Sequence, residues 1–378
     1  MVAYTLINND KNKMVHRSFV RSYRILLIVG LFVFITVFIM RNKEPSSREA
    51  RGPRPEKFSL NEMYNVKTHK GLVPMSELNE KVFKKFGYEI ESPTIPVPTL
   101  RMINGPTCET VFSEWLRISK EPQPDKPPGK IPAGREDEFL LYGYAALQDW
   151  YINDKNSPTG EKPRGWDTIS DIMKWPKQKL GGMQYGRDGE SMYNAIKAHR
   201  LDGKRGFVVG SMAPWVEVTA LLHGASHVLT VEYNNLTIQQ EYRDRMASIL
   251  PVDFVKDWEM YAGTFDFAAS FSSIEHSGLG RYGDPIDPIG DLREMLKIKC
   301  MLKKGGLLFL GFPFGTDALA YNAHRIYGSI RLALMFYGFE WLDTFTGESE
   351  EPFDLNAARL DALGLFQHNQ RTVVLRKL

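Results

Sequence analysis

The sequence predicts an α/β fold over residues 188–378: a mostly parallel sheet with helices on both faces. Three observations predict it. From about Gly189 strand-like and helical patterns alternate along the chain, which is the signature of βαβ units. The runs GFVVG (206–210) and LLFLG (307–311) are apolar throughout, as central parallel strands buried on both faces must be. Gly210 closes the first strand and Glu232 closes the second. In open parallel sheets ligands bind at those carboxyl ends, where the strand order switches.

Each element has its own signal. GESMYNAIKAHRL reads as a helix ahead of GFVVG. PWVEVTALLHGA (214–225) is a helix with Pro214 in its first turn and Gly224 as its stop. HVLTVEY (227–233) is the second strand, IQQEYRDRMASIL a polar helix, and FDFAASF (265–271) the next strand. DLREMLKIKCMLKKGG is a helix with basic residues and glycines at its end, followed by the strand LLFLGFP (307–313). FEWLDTF and TVVLRKL supply two more strands. Upstream, EPQPDKPPGKIPAG (121–134) is too rich in proline for helix or central strand and is a surface loop. EFLLYGYAALQDWYI (138–152) has apolar residues at helical spacing and is expected to be a buried helix.

The N-terminal part differs in composition. ILLIVGLFVFITVFIM (25–40) is uncharged, bounded by Arg24 and Arg41, and about 24 Å long as a helix. It is expected to be an uncleaved transmembrane anchor whose flanking arginines snorkel; a cleaved signal or a buried core helix are the rival readings. The predicted organisation is a short basic tail (1–24), the anchor (25–40), a flexible proline-containing stem (41–72), an N-terminal extension or lid (73–187) and the sheet domain (188–378). Basic residues flank the anchor almost evenly, so orientation rests on the short first tail staying cytoplasmic, which leaves the body lumenal. Residues 1–57 hold 11 of the 48 Lys and Arg residues, against 4 of the 45 Asp and Glu. The remaining body is slightly acidic, which argues against a nucleic-acid partner. Cys108 and Cys300 form either one disulfide or two buried thiols, the second being the expectation.

The chemistry gathers at the strand ends. Gly210 and Ser211 allow backbone amides to approach a ligand, and Glu232, 22 residues on, can accept both hydroxyl hydrogens of a ribose. After FDFAASF comes SSIEHSGLGRYGDPIDPIGD (272–291), rich in reactive side chains. His276 is the candidate base near an acceptor hydroxyl, with Glu275 beside it; bracing of the loop is the alternative role. Arg281, Tyr282 and Asp284 are candidates to face an acidic or sugar acceptor. Gly278, Gly280 and Gly283 read as turn-formers, and Asp291 as the N-cap of the next helix. Glu275, His276, Asp284 and Asp287 could gather a metal ion, but their spacing does not demand one and no metal is expected. Glu217 reads as part of a solvated helix face, and Trp215 as core. His324 and Arg325 are read as the start of a packed segment.

Residues 188–378 resemble a class I S-adenosylmethionine-dependent methyltransferase domain. The strand–Gly–helix–strand–Glu unit matches where that family binds its cofactor, FDFAASFSSIEH resembles its fourth strand, and KKGGLLFLGFP the approach to its fifth. More narrowly, VVGSMAPWVEVTALLHGASHVLTVEYN, SIEHSGLGRYGDPIDPIGD and AHRIYGSIRL are similar to the family labelled Caenorhabditis protein of unknown function, over roughly residues 90–378. The resemblance implies S-adenosyl-L-methionine as cofactor, held by Gly210, Ser211, Glu232 and Ser272, with His276 and Glu275 catalytic. One departure stands out. The family's Gly-x-Gly-x-Gly reads Gly210-Ser-Met-Ala-Pro214 here, which puts bulk where the methionine half of the cofactor lies. A dinucleotide-binding dehydrogenase needs those glycines more, for its pyrophosphate, and no P-loop motif occurs. The expected function is a single-pass, membrane-anchored methyltransferase of the Golgi or endoplasmic reticulum that O-methylates a glycan hydroxyl in the lumen. A catalytically inactive binding or scaffold module, and a cytosol-facing methyltransferase of small molecules or lipids, are the alternatives.

Overall fold

A computed structural model describes residues 64–122, 125–155, 163–354, 356 and 363–378. Strands β1 (Asn65–Thr68) and β2 (Gly71–Pro74) form a hairpin ahead of helix α1 (Met75–Lys81), and β3 (Tyr88–Ser92) pairs with β4 (Thr99–Met102). Helix α2 (Cys108–Ser119) starts at Thr107, whose hydroxyl accepts from the Thr110 amide at 3.2 Å and satisfies one orphan donor. Next come β5 (Ala146–Trp150), β6 (Arg164–Trp166), α3 (Lys177–Tyr185) and α4 (Glu190–Ala198). The alternating part runs β7 (Arg205–Val209), α5 (Trp215–Leu222), β8 (His227–Val231), β9 (Leu236–Ile238), β10 (Met246–Ile249), α6 (Pro251–Lys256), β11 (Phe265–Phe271), α7 (Gly290–Met301) and β12 (Leu302–Gly315). It ends with β13 (Ala318–Asn322), β14 (His324–Ile326), α8 (Ser329–Met335), β15 (Phe339–Phe345) and β16 (His368–Lys377).

Seven strands make the main sheet in the order β10-β8-β7-β11-β12-β16-β15. Counted from β7, that is third, second, first, fourth, fifth, seventh, sixth. The strands β10, β8, β7, β11 and β12 run parallel, and β16 is antiparallel to both its neighbours. This is the class I methyltransferase arrangement that the sequence resemblance implies. Alternate side chains feed two cores, as a period of two requires. Phe207, Leu308, Leu310, Val373 and Leu375 face the cluster shared with α7, α8 and the N-terminal segments. Val208, Phe309 and Val374 face the cluster built with α4 and α5. Each such side chain, fully withdrawn from water, contributes about 1.5–3 kcal/mol.

Two expected helices are strands. In 138–152 only Glu136–Phe139 makes a helical turn; Leu141, Tyr142 and Gly143 have positive φ, and the chain then extends as β5 parallel to β13, Ala146 opposite Ala318 through Trp150 opposite Asn322. In IQQEYRDRMASIL the end is β10, in register with β8 from Met246 and Val228. In both, pairing with a neighbouring strand overrides the local helical pattern.

One further expectation is corrected. Among the described residues no helix is long and apolar enough to cross a membrane. The longest, α2 and α7, have 12 residues each, about 18 Å of helix against a hydrocarbon core of about 30 Å. The structure therefore gives no support to a fold preceded by a transmembrane helix. Residues 25–40, on which that expectation falls, lie outside the described residues.

The cysteines also differ from the expected free thiols. Cys108, at the start of α2, is bonded to Cys300, near the end of α7, across 192 residues of sequence. The same helix pair is joined by Trp115 Nε1 donating to Glu294 (3.2 Å) and by the Arg293–Glu114 ion pair (2.9 Å).

Candidate active site at the carboxyl edge of the sheet

The ends of β7, β8 and β11 and the start of the antiparallel β16 lie along one edge of the sheet, and the predicted site residues are on or beside it. Gly210 has φ +71°, and a Cβ there would overlap Ser273 after β11, so glycine is required twice over. Ser211 follows with both its donors committed. Its backbone N–H reaches Glu232 Oε2 at 2.8 Å, and its hydroxyl reaches Glu217 Oε2 at 3.0 Å. Glu232 Oε1 accepts from Asn234, from Nδ2 at 2.8 Å and from the backbone at 3.2 Å. The carboxylate at the end of the second strand is thus fixed in place before any ligand arrives. Tyr233, next to it, is 52% exposed.

Glu217 is fully buried rather than solvated, and Thr230 donates to its other oxygen at 3.0 Å. Burial pushes its carboxyl up to about 7, against the pull of the Ser211 and Thr230 hydroxyls. An acid inside the mostly apolar stretch Trp215–Leu222 was the available signal. Trp215 is core, with its ring 5.1 Å from that of Phe271.

Past β11, Ser272 takes φ +50°, unusual for a residue with a side chain. Tyr185, at the end of α3, packs its ring 4.8 Å from Phe271. Burial pushes its hydroxyl up, against the pull of Ser272 beside it. Nothing in the sequence around Tyr185 pointed to this position. Glu275 is buried, and its Oε2 has no hydrogen-bond partner among the described residues. Burial pushes its carboxyl up to about 7, with Ser272 again pulling the other way. His276, with 12% of its side chain exposed, has Nδ1 at 2.7 Å from the Ala323 carbonyl. A carbonyl only accepts, so Nδ1 carries the proton and Nε2 keeps a lone pair, 3.8 Å from Glu275 Oε1. Burial first, and the Arg281 charge second, push the imidazole down to about 3, so it is neutral across the physiological range.

The remaining candidates are tied down by the fold. Arg281 Nε donates to Asp154 at 2.8 Å and its NH1 to Ala323 at 3.3 Å. Tyr282 lies edge-on to His276 at 5.6 Å. Asp284 accepts from the amides of Gly278, Gly280 and Tyr282 at 2.8, 3.1 and 3.3 Å, so it shapes the loop from within. Asp291 caps no helix; its carboxylate is buried against Arg331, Tyr327 and Arg325. Burial pushes that carboxyl up, but the two arginines more than offset this and hold it low. Arg325, 1% exposed, donates to the carbonyls of Glu275, Ser277, Asp287 and Pro288. No cluster suited to a metal ion occurs among the described residues.

Residues 203–378 match the family described as "Caenorhabditis protein of unknown function". The family segment begins just ahead of β7 and runs to the end of β16, so it holds the whole main sheet, Gly210, Ser211, Glu232, the 272–291 loop and the Arg325 anchor. Tyr185, Asp154 and β5 lie before it. No curated protein matches the chain. Solved structures similar to it include the Burkholderia thailandensis 1,6-didemethyltoxoflavin-N1-methyltransferase with bound 1,6-didemethyltoxoflavin and S-adenosylhomocysteine, at 16% identity over 55% of this chain and 86% of that one, TM-score 0.35. Others are an S-adenosylmethionine-dependent methyltransferase from Mesorhizobium loti, at 17% identity over 51% and 100% of the two chains, TM-score 0.30, and a putative one from Listeria monocytogenes, at 11% over 50% and 98%, TM-score 0.31. The fold assignment rests on the strand order.

Proposed function

We propose that this protein binds S-adenosylmethionine at the carboxyl edge of the sheet and methylates the hydroxyl of a glycan in the secretory lumen. The observation that carries the reading is the preorganised Gly210–Ser211–Glu232 corner at the switch in strand order, with Ser211 N–H held 2.8 Å from Glu232. The donor set fits the adenosine half of the cofactor. Glu232 is fixed by three donors yet retains acceptor capacity for ribose hydroxyls, and the exposed Tyr233 ring beside it offers a face to a purine. Tyr185, Ser272 and Glu275 would border the other half.

The cofactor supplies an electrophilic methyl group when bound. The chain's own part is to hold the acceptor oxygen in line and to receive its proton. His276 Nε2 suits this role, because it is unprotonated across the physiological range and its ring is clamped by the Nδ1–Ala323 bond. A hydroxyl becomes strongly acidic as its oxygen gains the methyl group, so a weak base suffices. With the cofactor bound, Nε2 would take the hydroxyl proton as the acceptor oxygen bonded the methyl carbon, and the pair of the broken carbon–sulfur bond would stay on sulfur. Pairing of the chain's two cysteines supports an oxidising compartment.

Titration of the full chain with S-adenosylhomocysteine by calorimetry tests this reading. Saturable binding that Glu232→Ala abolishes is expected; no heat at millimolar ligand overturns it. The bulk of Met212 and Pro214 in place of the family glycines favours a second reading, a methyltransferase-like binding module. Cofactor binding without methyl transfer to any acceptor would select it.

A further inference from the structure

Beyond the loop that carries His276, several aromatic rings reach the surface. Among the described residues four aromatic side chains are exposed: Tyr64, Trp150, Tyr151 and Tyr233. Three are placed by the fold beside the candidate site, and Trp150 is the exposed tryptophan among them. It ends β5, opposite Asn322 in the β13 register, so the small β14-β13-β5 sheet delivers it to the neighbourhood of the Ala323 carbonyl that holds His276. Its ring, 47% exposed, meets His324 edge-on at 5.5 Å. His324 lies 5.2 Å from His368, at the start of β16, and 6.5 Å from His276. The indole N–H of Trp150 and the ring nitrogens of His324 and His368 have no hydrogen-bond partner among the described residues.

We propose that Trp150, His324 and His368 form an acceptor subsite for a neutral sugar ring, leading to His276. The assignment of the reacting end rests on the methyl-transfer reading; the subsite itself does not. An exposed indole offers a flat apolar face with a polar edge, which matches a sugar's C–H face and its hydroxyl rim. The imidazoles beside it donate and accept, as hydroxyls require. Burial, with His368 and Arg281 nearby, pushes His324 down to about 4, so it presents no charge at neutral pH. Arg281, on the His276 side, is already neutralised by Asp154 at 2.8 Å. An anionic acceptor would find no spare cation on these residues, whereas a neutral polyol finds a stacking face and a row of unused donors and acceptors.

Saturation-transfer NMR on the full chain, without cofactor, tests this with methyl hexopyranosides and neutral disaccharides as probes and phenol as the flat aromatic control. Ring protons of at least one sugar should be saturated. Binding should weaken at least tenfold in Trp150→Ala and partly recover in Trp150→Phe, with the thermal midpoint and S-adenosylhomocysteine affinity of both variants unchanged. Saturation of phenol alone, of no sugar, or equally in wild type and Trp150→Ala would overturn the proposal. Sugar binding that depends on Trp150 in a protein that fails to bind S-adenosylhomocysteine would instead keep the subsite and remove the methyl-transfer reading.

Discussion

His276 and Ala323 are joined by a 2.7 Å bond from Nδ1 to the carbonyl, and this bond separates the two roles the histidine can have. Asparagine can keep the donor that braces the loop but has no Nε2. His276→Asn should therefore retain S-adenosylhomocysteine affinity within about twofold while turnover with a hydroxyl acceptor falls by about 10²–10⁴, the usual worth of a positioned base. Retained turnover would make His276 a brace. Because its pKa is pushed down to about 3, the wild-type rate should show no inflection near pH 6.5 from this residue.

Glu217 gives a pH signature that needs no substrate. Its native carboxyl titrates at about 7, against 4.5 in the unfolded chain. A raised pKa means that the native state binds the proton more tightly. The associated stability is complete below about pH 4.5 and is lost as pH rises through 7. Glu275 acts in the same direction, and the depressed His276 acts oppositely, losing stability as pH falls below about 6.5. These other groups cancel when Glu217→Gln is compared with wild type. Denaturant melts at pH 5 and pH 8 should show a smaller decline in the variant, by on the order of 3 kcal/mol. An equal decline in both would mean that Glu217 titrates normally.

Gly210→Ala tests the corner itself. The new side chain must tolerate φ +71° and displace Ser273, so both stability and cofactor affinity should suffer. The backbone cost alone is about 1–3 kcal/mol. Adding Ser273→Gly should relieve the overlap but not the dihedral. The double variant should thus recover part of the S-adenosylhomocysteine affinity measured by calorimetry, and complete recovery would refute the dihedral argument.

The cross-link between α2 and α7 makes a redox prediction. Replacing both Cys108 and Cys300 by serine should cost about 2–5 kcal/mol. A reductant should lower the wild-type thermal midpoint and leave the double variant's unchanged. A midpoint insensitive to reductant in the wild type would show that the bond adds nothing to stability.

The sequence carried the sheet and its strand ends but little of what surrounds them. GFVVG, FDFAASF and LLFLGFP were legible because fully buried parallel strands are apolar without alternation. Gly210, Glu232 and His276 were legible because they sit next to those strands in the chain. Tyr185, Asp154 and Trp150 reach the same edge through contacts more than 80 residues long, and no local pattern encodes those. The 138–152 segment misled for the same reason: its apolar spacing suits a helix, but β13, some 170 residues on, offers a strand to pair with. Glu217 was misread because a charged residue on a helix is ordinarily solvated, and only the meeting of α5 with Ser211 and Thr230 buries it.

Arg325 is where loop order and chemistry meet. Its guanidinium, 1% exposed, holds four carbonyls of the 275–288 stretch, at 3.3 Å for Glu275, 2.6 Å for Ser277 and 3.2 Å for both Asp287 and Pro288. A fixed planar fork can serve several carbonyls at once, whereas an ammonium cannot reproduce that geometry. Arg325→Lys should therefore loosen the loop while leaving Gly210, Ser211 and Glu232, on other strands, in place. Amide exchange should speed up across 275–288 and stay unchanged in β7 and β8. Turnover should fall by more than cofactor affinity, because His276 loses its fixed approach to the acceptor, whereas of the residues placed around the cofactor only Glu275 lies on the loosened stretch. Equal loss of both would mean that the loop acts on turnover only through the cofactor, and unchanged exchange would remove Arg325 from the account.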